Sequence, residues 1–141
     1  MADSTPMIAR RALSLNGVLW VAQLLLALAF GMAGVMKAFM PMPALVVKIF
    51  WASDVPVMLT RFIGISELAA AIGMILPAAT RIHPRLTGWA GVGLTTVMVL
   101  AIGFHLVRGE AQFITGPVVL GVLAAFVAWG RLKKAPLTSR S

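Results

Sequence analysis

The chain has 141 residues, of which 60% are hydrophobic and 11% are charged, and its mean hydropathy is +0.98. A soluble domain of this size could not keep so much apolar surface away from water, so the composition indicates an integral membrane protein. The chain lacks cysteine, which excludes an internal disulfide, thiol exchange and thiolate metal ligation, and its net charge of +8 does not indicate nucleic-acid binding because the basic residues lie at the ends of apolar segments.

The first apolar segment follows a polar flank, residues 1–16, which is predicted to be a cytoplasmic tail. Residues 18–39 predict the first membrane span, in which Gln23 is the only strongly polar side chain before Lys37. Its apolar part, residues 18–36, forms about 28 Å of helix at about 1.5 Å per residue, which matches the hydrocarbon core. A cleaved signal peptide is the alternative, although its apolar region is usually only about 7 to 15 residues long.

The next segment, residues 40–60, contains three prolines around a short apolar core and is too interrupted to span a membrane. It predicts a short interfacial or re-entrant segment, in which Trp51 reaches the headgroups. Residues 62–79 predict the second span, and Glu67 is its only ionisable side chain. Because a charge there costs about 3 kcal/mol on insertion scales, we expect Glu67 to face a partner, a cavity or water.

The second half of the chain contains two further apolar segments. A basic turn at 81–85 leads to the third span, residues 86–106, whose glycines favour close helix packing. Residues 113–130 predict the fourth span, and a basic tail, 132–141, follows it. The sequence therefore predicts an all-α integral membrane four-helix bundle in up-down-up-down order, as a single membrane domain over residues 1–141.

The distribution of Lys and Arg predicts the orientation. Of the 12 basic residues, eight lie on the side of the chain termini, and four lie on the other side, namely Lys37, Lys48, Arg61 and Arg108. The positive-inside rule then places both termini in the cytoplasm and the protein, as a multi-pass protein, in the cell (inner) membrane.

This topology brings polar residues from different helices to one level, the outer half of the membrane. Lys37 ends the first span, Glu67 lies about 8 Å into the second, and His105 ends the third, so these three are the candidate catalytic residues. The candidate ligand-binding residues at the same level are Arg61, Gln112, Thr115 and Trp51, and no metal site is predicted. A structural reading stays open for each catalytic candidate: Lys37 reaching the headgroups, His105 bonded to a carbonyl, or Glu67 in an ion pair.

Five short motifs resemble, in their order and spacing, the DoxX-like family of small four-helix membrane proteins. The motifs are AFGMAGVMK at 29–37, IGISEL at 63–68, ILP at 75–77, AIGFHLVRGE at 101–110 and WGR at 129–131. The resemblance covers residues 18–131 and implies a helical bundle with the family's Lys, Glu and His at Lys37, Glu67 and His105. Members of this family are variously linked to quinone-coupled thiosulfate oxidation, to oxidative-stress complexes with partner enzymes and to receptor assembly, so the resemblance fixes fold better than function.

Three functions follow as hypotheses. In the first, the protein binds a quinone or similar lipophilic small molecule as accessory to a partner oxidoreductase, and His105 and Glu67 exchange protons with that ligand. In the second, it is an isomerase or hydrolase that acts by acid-base catalysis on a small lipophilic substrate such as an epoxide. The third is a scaffold without a ligand. The sequence favours the first, with no intrinsic cofactor beyond such a quinone, and leaves assembly into a homo-oligomer open.

Overall fold

The computed structural model describes the backbone of residues 5–140 and the side chains of Met7 and residues 14–140. The regular secondary structure in this part of the chain is helical, and no strand occurs in it. It contains four long helices, which are α1 (Thr5–Phe39), α3 (Val57–Thr80), α4 (Arg85–Val107) and α5 (Thr115–Trp129), and one short helix, α2 (Met42–Lys48). All four long helices are long and apolar enough to cross a membrane, if α5 is taken together with its π-helical continuation, Gly130–Lys134. The predicted fold class, a four-helix membrane bundle, is confirmed.

Three helix boundaries differ from the predicted spans. Helix α1 is continuous from Thr5, so most of the flank predicted as a tail is helical, because no proline or glycine occurs between Pro6 and Gly17 to stop the helix. Helix α3 begins five residues earlier than predicted, at Val57, directly after Pro56. Helix α5 begins at Thr115 because the residues before it form a separate turn of 3-10 helix.

The segment between α1 and α3, residues 40–56, packs across one end of the bundle, and we call this segment the connection. We call this end the outer end, after the predicted orientation. Helix α2 is followed by a turn of 3-10 helix, Phe50–Ser53. The Trp51 ring meets Phe104 of α4 edge-on at a centroid distance of 6.0 Å, and the Phe50 ring lies 4.8 Å from that of Phe113. These contacts hold the connection over the outer ends of α4 and α5.

Glycines let α1 and α3 pack with their backbones in contact. A Cβ atom on Gly64 would lie 2.5 Å from the backbone nitrogen of Ala38, and one on Gly34 would lie 2.8 Å from the carbonyl oxygen of Gly64. Helices α4 and α5 meet in the same way, since a Cβ on Gly91 would lie 2.9 Å from the carbonyl oxygen of Ala124. Small residues at these positions let the helices pack closely. In lipid this close packing stabilises helix pairs, because the hydrophobic effect does not drive helices together there.

A proline inside α3 accounts for a link between α3 and α4 near the inner end. Pro77 has no N–H, so the carbonyl of Gly73, four residues before it, lacks its usual helical donor. The Thr87 hydroxyl donates to that carbonyl at 3.0 Å. Helix α3 continues through Pro77 to Thr80 and stops at Arg81, which has the left-handed φ of 58°.

Candidate functional site

A buried ion pair joins the outer ends of α1 and α3. Lys37 Nζ donates to both carboxylate oxygens of Glu67, each at 2.8 Å. The Glu67 side chain is 2% exposed and the Lys37 side chain 11%. Gly34 and Gly64 lie one turn from this pair on their helices, so the glycine contact is what brings the two side chains within reach of each other.

Two further predicted residues contact Lys37, one at its backbone and one at its ammonium group. Arg61 Nη1 donates to the backbone carbonyl of Lys37 at 2.8 Å, which ties the start of α3 to the end of α1. The Trp51 ring lies with its centroid 5.6 Å from Lys37 Nζ, a cation–π distance. The charge of Lys37 is therefore stabilised by Glu67 and by an aromatic face from the connection above it.

His105 is held by a residue beyond the end of its own helix. Helix α4 ends at Val107 in a Schellman motif: Gly109 has a φ of 71°, its N–H bonds the Leu106 carbonyl at 3.1 Å, and the Glu110 N–H bonds the His105 carbonyl at 2.8 Å. This turn folds Glu110 back over the last helical turn. Its Oε2 atom then lies 2.8 Å from His105 Nδ1.

Glu110 also belongs to a charged network that reaches the connection. Arg108 donates from Nε to Glu110 Oε1 at 2.9 Å and from Nη2 to Asp54 Oδ2 at 2.7 Å. The hydrogen bond from Arg108, followed by the one to His105, lowers the pKa of Glu110 below its ordinary value of 4.5. Because an ionised carboxylate can only accept, Nδ1 of His105 carries the hydrogen in this bond, and Nε2 is the ring nitrogen that takes no part in it.

A cavity of about 520 Å³ lies between the four long helices, below the connection. Its volume is within the range of about 300 to 1,000 Å³ that is usual for small-molecule sites. Its walls are almost entirely apolar, and the polar side chains that line it include Lys37, Glu67 and His105 towards the outer end and Ser66 on α3. The arrangement suits a molecule that is apolar over most of its surface and polar at one end.

The lining of the cavity reaches the outside of the bundle at α3 and α4. Its lining includes Phe62 of α3 and Leu100 of α4, which are 67% and 68% exposed on the outside of the bundle. At the inner end the same two helices are close, since a Cβ on Gly73 would lie 3.0 Å from Ala90 Cβ. The cavity therefore lies on the outer side of this contact, where its lining extends to the exposed faces of α3 and α4.

The structure places the predicted site residues in three groups. Lys37, Glu67, His105 and Trp51 line the one cavity, and Arg61 lies behind Lys37. Gln112 and Thr115 are exposed and do not line it, because at the start of α5 the wall is formed by Gly116 and Pro117 instead.

Sequence reasoning missed Asp54, Arg108 and Glu110 as site residues. For Glu110 a signal was present, because Gly109 just beyond an apolar run indicates a helix C-cap, and a C-cap turn brings the residue that follows it back to the last helical turn. Among the residues that the structure describes, no group of three or more His, Asp or Glu side chains is placed to hold a metal ion.

The comparison with protein families agrees with this architecture. The profile of the DoxX-like family matches residues 21–127, which include the ion pair, the connection, His105 and the Schellman turn. No curated protein and no solved structure matches the chain. The match covers most of the chain, and the protein belongs to the DoxX-like family.

Proposed function

We propose that the protein binds a quinone, or a closely similar lipophilic carrier, in the outer-half cavity and serves as the membrane accessory of a partner oxidoreductase. One observation supports the proposal: an apolar cavity, whose lining reaches the outside of the bundle at α3 and α4, has its charged pair and its histidine at one end. A quinone matches that division, since its ring carbonyls accept hydrogen bonds and the rest of the molecule is apolar.

Two donors are placed to hold the carbonyls of such a ring. The Lys37 ammonium has three N–H bonds, of which two point to Glu67, so the third is available to a ligand. His105 lines the same cavity, and with Nδ1 committed to Glu110 its Nε2 is the ring nitrogen that can meet the ligand. Reduction of a quinone consumes two protons, and His105 beside ionised Glu110 supplies a site for their passage.

The electrons come from a partner in this proposal. The sequence has no cysteine, and its two histidines are His105 at the outer end and His83 in the inner turn. Protein groups that ligate redox centres, such as paired histidines or cysteines, are therefore not provided by the sequence. In this proposal the chain binds the carrier, and the partner oxidoreductase exchanges electrons with it.

The His105–Glu110 pair also favours a second candidate, acid-base isomerisation or hydrolysis of a small lipophilic substrate such as an epoxide. A carboxylate that orients an imidazole is a common way to prepare a general base. Glu67 is less suited to this task, because both of its oxygens already accept hydrogen bonds from Lys37. Under this candidate His105 acts as the base and Lys37 stabilises the developing oxyanion.

Ligand-dependent melting of the purified protein tests the proposal. Short- and long-tailed quinones and small epoxides are added to wild type and to two variants. Ala101→Phe places a large side chain in the cavity, and Ala69→Phe, on the exposed face of α3, is the matched control. We expect quinones to raise the melting temperature of wild type and the control, but not of Ala101→Phe. Stabilisation by no quinone would overturn the proposal, and turnover of an epoxide would establish the second candidate.

The accessory role has a separate test in membranes. We expect membranes without this protein to lose quinone reduction with at least one respiratory or sulfur substrate, and wild type supplied in trans to restore it. Unchanged rates with every substrate would leave a carrier-binding protein without a redox partner.

A further inference from the structure

One ring nitrogen of His105 has no hydrogen-bond partner in the described part of the chain. The side chain lines the cavity, and its Nδ1 lies 2.8 Å from Glu110 Oε2, in the turn beyond α4. Within the described residues, the side-chain N and O atoms that are both sealed from solvent and unpaired are Thr60 Oγ1 and Arg131 Nη2. Nε2 of His105 is unpaired and is not one of these, so it keeps accessible surface, and the cavity is the space that its side chain lines.

The rings that surround His105 do not compete for this nitrogen. The centroids of Phe104, Phe113 and Phe50 lie 5.4, 6.1 and 6.3 Å from that of the imidazole. None of these side chains carries a hydrogen-bonding group, and His105 itself is only 6% exposed. A ligand in the cavity is therefore the natural partner for Nε2.

Titration of the imidazole changes what Nε2 offers. Charged side chains face His105 from the turn after α4, from the connection and across the cavity from α1 and α3, and they are Glu110, Arg108, Asp54, Lys37 and Glu67. Glu110 stays ionised above pH 4.5, because the hydrogen bonds from Arg108 and then His105 lower its pKa below that value. An ionised carboxylate only accepts, so the hydrogen stays on Nδ1 in both charge states of the ring. Nε2 is then a lone-pair acceptor in the neutral imidazole and an N–H donor in the imidazolium.

We infer that the protonation state of His105 selects the redox form of the carrier that the cavity binds, with the hydroquinone preferred when His105 is neutral. This inference rests on the proposed binding of a quinone-like carrier. A hydroquinone O–H donates to neutral Nε2, whereas a quinone carbonyl cannot donate and leaves that nitrogen unpaired. The imidazolium N–H bonds the oxygen of either form, so the discrimination appears as His105 loses its proton.

The other donor in the cavity does not distinguish the two forms. Two N–H bonds of Lys37 point to Glu67, and the third donates equally to a carbonyl or a hydroxyl oxygen. A site that pairs a ligand hydroxyl rejects the analogue without it, because a buried polar group is then left without a partner. One such unpaired group lowers the affinity for the quinone about tenfold relative to the hydroquinone.

Anaerobic titrations of the purified full chain at pH 5 and pH 8 test this selection, because histidine side chains in general change charge between about pH 5 and 8. The ligands are a short-tailed benzoquinone, its hydroquinone and the dimethyl ether of that hydroquinone, which has nearly the same shape but no O–H. We expect the ratio of the quinone to the hydroquinone dissociation constant to rise about tenfold from pH 5 to pH 8. The ether should follow the quinone.

Three variants locate the effect. His105→Gln has an amide that donates and accepts at every pH, so its ratio should not change with pH. Glu110→Gln no longer fixes the hydrogen on Nδ1, and we expect a smaller rise than in wild type. Asp54→Asn removes a charge of the same size from the Arg108 network without touching His105, and it should keep the wild-type rise.

The outcomes separate this inference from the function on which it rests. Binding of neither redox form would overturn the proposed carrier binding itself. Binding of both forms with a ratio that does not change with pH would overturn only the selection by His105. If His105→Gln does not fold, the ether decides in wild type, since an ether that binds as tightly as the hydroquinone at pH 8 would show that the O–H is not recognised. Equal loss of the rise in Glu110→Gln and Asp54→Asn would contradict the role given to the Glu110 contact.

Discussion

Lys37 on α1 and Glu67 on α3 form a buried ion pair in which one ammonium group donates to both oxygens of one carboxylate at 2.8 Å. The pair fastens the two helices that form one side of the cavity, and both of its members line that cavity. It therefore joins two helices and, in the proposed function, also binds the ligand, and experiment can separate these two roles.

We predict that Glu67→Gln lowers the free energy of unfolding by about 3 to 5 kcal/mol, because it leaves the Lys37 charge buried without a partner. The double variant Lys37→Met with Glu67→Met removes both charges and is expected to recover most of that loss, since apolar replacements of buried pairs are often neutral. Melting temperatures in one detergent measure both effects. A Glu67→Gln protein that melts like wild type would show that the pair contributes little to folding.

The double variant also separates stability from binding. It retains the fold but lacks the Lys37 donor, so we expect no quinone-dependent rise in its melting temperature. Full quinone stabilisation of this variant would place the ligand elsewhere in the molecule.

The close approach of α1 and α3 predicts that the cost in stability of replacing a glycine by alanine depends strongly on its position. Gly64→Ala places a Cβ 2.5 Å from the backbone nitrogen of Ala38 and is expected to cost about 1 to 3 kcal/mol as the helices separate. Gly93→Ala in α4 meets nothing within 4 Å and is expected to be neutral or stabilising by up to about 1 kcal/mol. Thermal unfolding of both variants makes the comparison, and equal melting temperatures would contradict the packing described here.

The fold was predictable from sequence because hydropathy over about 20 residues is a strong signal, and the four spans were found within a few residues. The convergence of Lys37 and Glu67 followed from topology alone, since antiparallel neighbours of similar length bring the same level of the membrane together. Gln112 and Thr115 show the limit of that reasoning, because level in the membrane does not determine which way a side chain points. Arg131 was interpreted as a topology signal, and only the inward π-helical turn shows that it is buried.

Glu110 makes the stability of the folded protein depend on pH in the acid range. Its pKa is below 4.5 in the folded protein because Arg108 and then His105 bond its ionised form. The stabilisation from Glu110 is therefore complete above pH 4.5 and is lost as the pH falls through the lower folded value. We expect the melting temperature of wild type to exceed that of Glu110→Gln at pH 6 and the difference to narrow as the pH falls below 4.5. Two parallel curves over that range would show that Glu110 is not coupled to folding.

The predicted orientation rests on eight basic residues at one end of the bundle against four at the other. We predict that a reporter enzyme that works only in the cytoplasm is active when fused after Ser141, and that one that works only outside the cytoplasm is inactive there. The matched fusion, inserted after Gly109 in the outer turn, should give the opposite result. Reversed activities of the two fusions would place the cavity at the cytoplasmic leaflet.

The exposed part of the cavity lining, on α3 and α4, predicts where a ligand enters, given the proposed binding of a lipophilic carrier. Phe62→Trp and Leu100→Trp enlarge the two exposed side chains at its mouth, whereas Ile65→Trp and Val99→Trp add the same bulk to exposed positions outside the cavity. We expect the first two to slow association of a radiolabelled quinone from the bilayer by about tenfold, equivalent to about 1.4 kcal/mol on the barrier to entry, with a smaller change in equilibrium binding. The two controls should associate like wild type. Because the side chains at the mouth do not contact the polar end of the ligand, a loss of affinity at unchanged association rate would place them inside the binding site. Equal rates in all four variants would indicate entry by another route, such as beneath the connection that carries Trp51.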